Sequence, residues 1–323
     1  MTEPTFSVIM ANYNGATYLP QALASIRDQT LGDWELIAVD DASTDGSQAI
    51  LKTAAEQDPR VRVFLQPENR GPGAARNRGL GESRGRWVAI FDADDVMKPE
   101  RLARLLARAE QDDALIVADN QIICDADLTP REVYLRSKIL EAPRWVDLAD
   151  FVASSELHSK IPDLGFLKPI ISKSAIRTVG ARYDEALRIG EDFHFVVQLL
   201  AAGLRIRLEP EPLYAYRKHG SSTSHRLSAA TLNAILAADD AFLARSRPLE
   251  ERVTHAFRRR REGLSSWLAH DRTIQALKAR RPVEAILSLL RRPQAWPLLA
   301  GPLQARRRRL AKRLMAPLRR SPC

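Results

Sequence analysis

Cysteine and long apolar runs are both scarce in this chain. Two cysteines, Cys124 and Cys323, occur among 323 residues, and they form neither a disulfide framework nor the paired spacing of a zinc site. No segment approaches the roughly 20 consecutive apolar residues of a membrane-spanning helix. The first residues lack the basic start and the long apolar segment of a signal peptide. These absences predict a cytoplasmic protein that does not span a bilayer.

The remaining composition is that of an ordinary globular protein, with 45% hydrophobic and 28% charged residues. The charge, however, is divided unevenly along the chain. From Arg245 to Cys323, 21 Lys and Arg residues stand against 5 Asp and Glu residues, a net charge of +16. The first 244 residues hold 28 basic and 35 acidic residues, a net charge of −7. We therefore expect the acidic body and the basic tail to have different roles.

Two periodicities alternate in the first third of the chain. Short apolar segments rich in Val and Ile are typical of strands buried on both faces, and they read SVIMAN, ELIAVD, VRVFLQ and RWVAIFD. Segments with apolar residues at helical spacing, such as 18–28 and 99–110, lie between them, and Pro99 suits the first turn of its helix. Strands alternating with helices predict a mostly parallel, doubly wound α/β sheet flanked by helices.

The pattern loosens after Asp119. We predict a strand at 168–172, a helix from Glu191 and two short strands at 205–208 and 213–217. From about Ser228 onward the sequence predicts helices alone.

Polar clusters follow each of the four predicted strands. In an open parallel sheet, ligands bind outside the carboxyl ends of the strands. The clusters are Asn12-Tyr13-Asn14, Asp40-Asp41, the segment 69–77 that contains Arg76, and Asp92-Ala93-Asp94-Asp95. Four polar strand ends in succession predict a ligand site at this edge of the sheet.

The triplet Asp92-Ala93-Asp94 is the sharpest of these signals. Alternate residues at a strand end point to the same side, so the two carboxylates can converge. A hard cation such as Mg²⁺ or Mn²⁺ takes one or two carboxylates and fills its other positions with phosphate oxygens and water. Such a metal would neutralise a departing nucleoside diphosphate. The alternative is that Asp94 and Asp95 cap a helix beginning near Lys98.

Asp41 and Arg76 each admit a functional and a structural interpretation. A carboxylate at Asp41 could accept a hydrogen bond from N3–H of uracil, or it could cap a helix at 48–56 together with Ser43. Arg76 could meet a phosphate or pair with Asp92.

Three further residues come from the second half of the chain. Glu191 and Asp192 are at the start of a predicted helix, where the helix dipole favours acids for structural reasons alone. The functional interpretation is that Asp192 removes a proton from the hydroxyl group of the substrate that accepts the transferred group. His219 follows a predicted strand and is either a structural residue or part of a donor site.

Taken in order, these motifs resemble the family 2 inverting glycosyltransferases, over about residues 6–226. The resemblance implies the GT-A fold, a Rossmann-like, mixed and mostly parallel sheet flanked by helices. Two small residues depart from the family's usual pattern: Ala11 stands where many relatives have Pro, and Ala42 where Gly is usual.

The resemblance implies a role for each site residue. Asn12, Tyr13, Asn14 and Asp41 would line the nucleoside pocket, and Asp92 would lie near the ribose and diphosphate. We also count Arg76 and Ala93 among the expected donor-binding residues. Asp94 would bind the metal, with His219 approaching it. Asp192 would be the general base, with Glu191 as the other candidate for that role.

The implied reaction moves a sugar from a nucleotide sugar, with UDP as the expected nucleotide, to a saccharide acceptor and inverts the anomeric centre. Among such enzymes the chain looks most like those that extend lipid-linked, polyprenyl-diphosphate-borne saccharides for bacterial exopolysaccharide or other surface glycans. Two rivals are weighed against it. A metal-dependent nucleotidyltransferase would want a Gly- and Arg-rich loop after the first strand, and a nucleic-acid-binding protein would want more aromatic residues in the tail. We therefore expect no nucleic-acid partner.

The expected organisation is a GT-A catalytic domain at 1–228 and a basic helical extension at 229–323. Within the first, about 1–119 would bind the nucleotide sugar and about 120–228 the acceptor. The basic residues of 302–323 alternate with leucines, which suggests reversible binding to the anionic inner face of the cytoplasmic membrane. The alternative is a solvated helix packed on the catalytic domain.

Overall fold

The fold is built around one mixed sheet. The computed structural model describes residues 3–136, 144–157, 159–220, 228–246, 248–291, 296 and 298. The strands are β1 Phe6–Asn12, β2 Trp34–Asp40, β3 Val61–Leu65, β4 Trp87–Asp92, β5 Val96–Met97, β6 Ile116–Cys124, β7 Pro130–Val133, β8 Trp145–Val146, β9 Ile170–Ser172 and β10 Ile206–Arg217. The helices are α1 Leu19–Arg27, α2 Ser47–Gln57, α3 Pro72–Glu82, α4 Arg101–Gln111, α5 Leu148–Ser154, α6 Lys173–Val179, α7 Glu191–Ala201, α8 Ala229–Arg245, α9 Glu251–Lys278 and α10 Pro282–Arg291.

The first half of the sheet is parallel, as the alternating periodicities predict. The sheet order is β3-β2-β1-β4-β9-β6-β10-β5, with β7 beside β6 and β8 beside β10. Strands β1, β2, β3 and β4 all run in one direction, with Phe6 opposite both Trp34 and Trp87. Every residue of β2 is buried, because α/β crossovers cover both faces of these strands. The four carboxyl ends therefore meet at one edge.

The second half makes the sheet mixed, as the GT-A fold implies, and it departs from the predicted strands at β10. Strand β9 lies antiparallel between β4 and β6, and β6 then pairs in parallel with β10. Strand β10 is continuous where two strands were predicted. Its pairing shifts between Glu209 and Tyr214, around Pro210 and Pro212, so the prolines interrupt the ladder without ending the strand.

Helix α4 begins later than its sequence suggests. Its first residue is Arg101 and its N-cap is Glu100, so Pro99 precedes the helix and does not occupy its first turn. Strand β5 lies between the acidic loop and this helix. Neither Asp94 nor Asp95 caps α4, and the prediction that these two acids cap this helix is wrong.

The predicted helical region after Ser228 packs onto the sheet domain. Val253 and Phe257 of α9 belong to the same buried apolar cluster as Phe151 of α5 and Phe193 of α7. Among the described residues, no helix has the length and apolar character needed to cross a membrane. The segment 302–323, for which membrane binding was expected, lies outside the described residues.

Candidate active site

The end of β1 is fixed by hydrogen bonds to the loop that follows β2. Asn12 is 2% exposed, and its Nδ2 donates to Asp40 Oδ2 at 2.7 Å and to Ser43 Oγ at 3.1 Å. A Cβ added to Gly15 would stand 2.3 Å from Asn12 Oδ1, so glycine is needed there. Asn12 is therefore the buried support of this corner. Its neighbour Tyr13, 54% exposed, presents the ring at the surface.

Two non-glycine residues of this corner adopt left-handed backbone conformations. Asn14 has a φ of 52°, and its Oδ1 accepts a hydrogen bond from the Thr44 amide at 2.8 Å. Ala42 has a φ of 61°. A residue with a Cβ is strained at a positive φ, which explains physically why glycine would suit position 42 better than alanine.

Asp41 holds the loop that leads into α3. The side chain is 3% exposed, and Oδ1 accepts hydrogen bonds from Gln66 Nε2 at 2.6 Å and from the Arg70 amide at 2.8 Å. Oδ2 accepts from the Gly71 amide at 2.7 Å. The φ of Gly71 is 95°, which only glycine adopts readily. Asp41 does not cap a helix, and its contacts shape the loop next to the predicted nucleoside pocket.

Three carboxylates and two cations form a buried cluster between the two halves of the sheet. Arg76 donates to Asp92 Oδ1 at 2.8 Å and to Glu191 Oε1 at 2.6 Å, and its Nη1 lies 3.2 Å from Asp192 Oδ1. Lys168 Nζ lies 2.7 Å from Asp92 Oδ2 and 2.8 Å from Asp192 Oδ2. The pairing of Arg76 with Asp92 is therefore confirmed. The cluster joins the end of β4 to the first turn of α7.

The charges in this cluster depend on one another. Burial alone would lower the pKa of Lys168, but Asp192 and Asp92 raise that pKa well above its usual range. Burial would raise the pKa of Asp92, yet Lys168 and Arg76 hold it well below the usual range. Burial, and then the Asp192 carboxylate, raise the pKa of Glu191. Three acids against two cations leave a net negative charge when all five are ionised.

Lys168 is the member of the cluster that the sequence did not reveal. It precedes β9, where it reads as the polar start of an apolar strand. Its carbonyl oxygen accepts a short hydrogen bond from Arg101 Nη2, and Arg101 also pairs with Asp119 at 2.8 Å. Arg101 and Asp119 are 0% and 1% exposed. This buried pair fixes the backbone that carries Lys168.

Asp95 is a structural acid although it sits in the acidic motif. It is 0% exposed, and it accepts hydrogen bonds from the Tyr214 hydroxyl and the Arg217 amide, both at 2.8 Å. Burial, followed by the nearby charges of Asp94 and Asp92, raises the pKa of Asp95 well above its usual range. The residue ties the acidic loop to the end of β10.

Asp94 lies in the turn after β4 and faces His219. Its side chain is 35% exposed, and His219 Nε2 lies 2.9 Å from Asp94 Oδ2. The His219 ring packs against Tyr18, with the ring centroids 4.5 Å apart. Arg217 Nε donates to the Asp94 carbonyl oxygen at 2.7 Å, and this hydrogen bond helps to fix the turn. The structure therefore places His219 beside Asp94, and its approach to a metal stays a prediction.

The donor set at this loop fits a divalent cation. Carboxylate oxygens of Asp92, Asp94 and Asp95 all lie within 4.8 Å of one another. Asp92 is held by two cations and Asp95 by Tyr214 and Arg217, so Asp94 is the carboxylate best placed to reach a ligand from solvent. A carboxylate oxygen with an imidazole nitrogen is a suitable set for a transition metal such as Mn²⁺.

The site thus offers Asp94, a partly exposed acid, beside the imidazole of His219. Asp92, in the same loop, is an acid held by Arg76 and Lys168. The loop that contains Gly15 lies next to Ala93, since a Cβ added to Gly15 would stand 3.8 Å from the Ala93 Cβ. Chemically, the acids suit a divalent cation, which in turn could bind an anionic ligand, and a nearby carboxylate could accept the proton of a hydroxyl group.

The comparisons with known proteins agree with this geometry. The sequence model described as Glycosyl transferase family 2 matches residues 7–179. The chain is 35% identical to the succinoglycan biosynthesis protein ExoO of Rhizobium meliloti, over 97% of this chain and 89% of that protein.

Two solved structures show the same fold. The Staphylococcus aureus TarS fragment 1–349 in complex with UDP-GlcNAc has a TM-score of 0.65 at 18% identity, over 87% of this chain and 89% of that one. The mannosyltransferase PcManGT of Pyrobaculum calidifontis, in complex with GDP-Man and Mn²⁺, has a TM-score of 0.59 at 19% identity, over 96% and 81%. The GT-A fold expected from the motifs is confirmed. On its sequence, this chain belongs to glycosyltransferase family 2.

Proposed function

We propose that this glycosyltransferase transfers a sugar from a nucleotide sugar, with UDP as the nucleotide, to a saccharide acceptor in the synthesis of a bacterial exopolysaccharide or surface glycan. The Rhizobium relative is named a succinoglycan biosynthesis protein, which supports a role in the synthesis of a bacterial polysaccharide. The UDP-GlcNAc and GDP-Man complexes of the structural relatives support a nucleotide-sugar donor. The observation that carries the proposal is the pairing of Asp94 and His219 next to the cluster of Asp92, Lys168 and Asp192.

In this proposal the donor lies along the carboxyl ends of β1, β2 and β4. Tyr13 and Asn14, supported by Asn12, line the nucleoside pocket with Asp41. Within the described part of the chain, Asp41 Oδ2 accepts one hydrogen bond, from the Gly71 amide, which leaves a second acceptor position for a base N–H. Asp92 and Ala93 lie along the ribose and diphosphate. Residues 1–119 hold these donor groups and 120–228 the acceptor groups.

Asp94 and His219 would hold a divalent metal, Mn²⁺ or Mg²⁺. When bound, such a metal supplies positive charge to the diphosphate oxygens that leave. Arg217 donates to the backbone carbonyl oxygen of Asp94 and so helps to fix the turn that carries its carboxylate. Arg76 lies behind Asp92 and holds it in place.

Asp192 is the proposed general base, and the reaction inverts the anomeric centre. Its Oδ2 is held by Lys168, whereas Oδ1 makes no hydrogen bond among the described residues and lies 3.2 Å from Arg76 Nη1. The Asp192 side chain is 20% exposed. Glu191 is less suitable, because its Oε1 bonds to Arg76 at 2.6 Å and the residue is 7% exposed. The acceptor hydroxyl would give its proton to Asp192 while its oxygen attacks the anomeric carbon.

The test is a donor screen with UDP-, GDP- and dTDP-sugars in Mn²⁺. Slow hydrolysis of a UDP-sugar with release of UDP supports the proposal. Release of pyrophosphate would show a nucleotidyltransferase instead, and turnover of a GDP- or dTDP-sugar alone would overturn the choice of UDP. The acceptor is proposed to be lipid-linked, with the basic segment 302–323 at the membrane surface.

A further inference from the structure

Helix α10 presents an apolar stripe to solvent. Val283, Ile286, Leu287 and Leu290 are 68%, 57%, 46% and 61% exposed. Their spacing of three and four residues places them on one side of the helix. In a soluble protein such a stripe normally packs against the core, so its exposure here indicates a contact with an apolar partner.

The opposite side of α10 is already packed. Ala285 is 3% exposed, and Ser288 Oγ donates to the Ala269 carbonyl of α9 at 3.1 Å. The helix is therefore anchored on α9 by its small and polar residues. Turning the stripe inward would break this packing.

The chain around the stripe is strongly basic. From Arg272 to Cys323 it carries 14 Lys and Arg residues and one acid, Glu284. That acid is paired with Arg281 at 3.2 Å. Arg280 and Arg281 are exposed at the start of the helix, so the stripe begins next to positive charge.

An indole lies at the other end of the helix. Trp296 is 57% exposed, and its Nε1 donates to the Leu289 carbonyl at 3.3 Å. Tryptophan has a large apolar body with one polar N–H, which suits the boundary between lipid and water.

We propose that α10 lies in the plane of an anionic lipid bilayer, with the stripe among the acyl chains and the basic residues at the headgroups. An apolar stripe flanked by Arg and an indole is the pattern of an interfacial helix. A helix of ten residues is about 15 Å long, which is small for a stable dimer that needs roughly 800 Å² from each partner. The inference rests on the proposed lipid-linked acceptor, and it assigns the membrane contact to a helix that is part of the folded protein.

The experiment measures sedimentation of the full chain with phosphatidylcholine vesicles that contain or lack phosphatidylglycerol. The double variant Ile286→Asn/Leu290→Asn should lose about tenfold or more in its partition onto the anionic vesicles. The matched control is Leu115→Asn, which removes a 40% exposed apolar side chain from the loop before β6 and should partition like the parent. UDP-sugar hydrolysis should be equal in all three proteins, and its absence from all would count against the proposed function, not against this inference.

Four outcomes would overturn the inference. The double variant could sediment like the parent, or the parent could fail to sediment with anionic vesicles at all. A dimer of the parent that the double variant loses, without vesicle binding, would show that a second copy covers the stripe. A lower melting temperature in the double variant alone would show that the chain itself covers it, because an exposed stripe contributes little to stability.

Discussion

At the scale of single residues, Asp92, Asp94 and Asp95 occupy one loop and have three different surroundings. Asp92 faces Arg76 and Lys168, Asp95 is wholly buried, and Asp94 is partly exposed beside His219. These three neighbouring acids therefore differ in exposure and in their contacts, so they cannot all have the same role. We expect them to respond differently to substitution.

Asp94→Ala should remove metal-dependent nucleotide binding. In Mn²⁺ the affinity for UDP should fall by about tenfold or more, because the carboxylate that reaches the cation is lost. In EDTA the variant and the parent should bind UDP equally, which is the control. Calorimetric titration measures both, and equal affinity in Mn²⁺ would contradict the assignment.

Asp192→Asn keeps the shape of the side chain and removes its basicity. Turnover should fall by about 10² or more while UDP binding persists. Glu191→Gln is the matched variant, since it changes the neighbouring acid in the same way. Steady-state transfer rates decide between them, and an inactive Glu191→Gln beside an active Asp192→Asn would reverse the two roles.

Asp95→Asn should still fold, and its melting temperature relative to the parent should rise with pH. The pKa of Asp95 is raised in the folded protein, so ionisation above the usual carboxyl range opposes folding and stability falls as pH rises towards the folded pKa. Asn keeps an oxygen for Tyr214 or Arg217 and cannot ionise. The melting temperature of the variant relative to the parent should therefore be higher at pH 8 than at pH 5. A difference independent of pH would contradict this reasoning.

At the scale of elements, periodicity predicted the strands that are uniformly apolar. Strands β1 to β4 and helix α7 were anticipated because their apolar residues repeat regularly. Strand β6 was missed because Asp119, Asn120 and Gln121 interrupt it, although all three are buried. Their partners, such as Arg101 and the Leu135 carbonyl, are remote in sequence, so no local pattern could reveal them.

The same limit applies to the candidate site. Its acidic strand ends were visible in the sequence, and the resemblance supplied the roles. Lys168 was not visible, because its partners come from β4 and α7 and only folding brings these elements together.

The turn between β2 and α2 offers a test of backbone strain. Ala42→Gly should raise the free energy of unfolding by about 0.5–1 kcal/mol, since glycine adopts a positive φ without a clashing Cβ. Ala24→Gly, at an exposed site within α1, should lower it by about 1 kcal/mol. Urea denaturation measures both. Two losses of equal size would show that the turn is not strained.

At the scale of the whole molecule, the helices after Ser228 support the proposed base. Asp239 of α8 lies 3.1 Å from His194, and Arg260 of α9 stacks 3.7 Å from the Phe193 ring centroid. Both contacts reach α7, the helix that begins with Glu191 and Asp192. The extension is therefore not an independent tail over its described helices.

Shortening the chain at two points tests this dependence. A chain ending at Arg291 keeps α8, α9 and α10, and it should melt cooperatively and hydrolyse a UDP-sugar like the full protein. A chain ending at Ser228 exposes the apolar residues that Phe257 covers and should lose both properties. Asp239→Ala is the matched point variant. It leaves Arg260 buried without its partner, which should cost about 3 kcal/mol of stability and lower turnover by displacing α7. A fully active chain ending at Ser228 would instead make the extension dispensable to catalysis and confine its role to localisation.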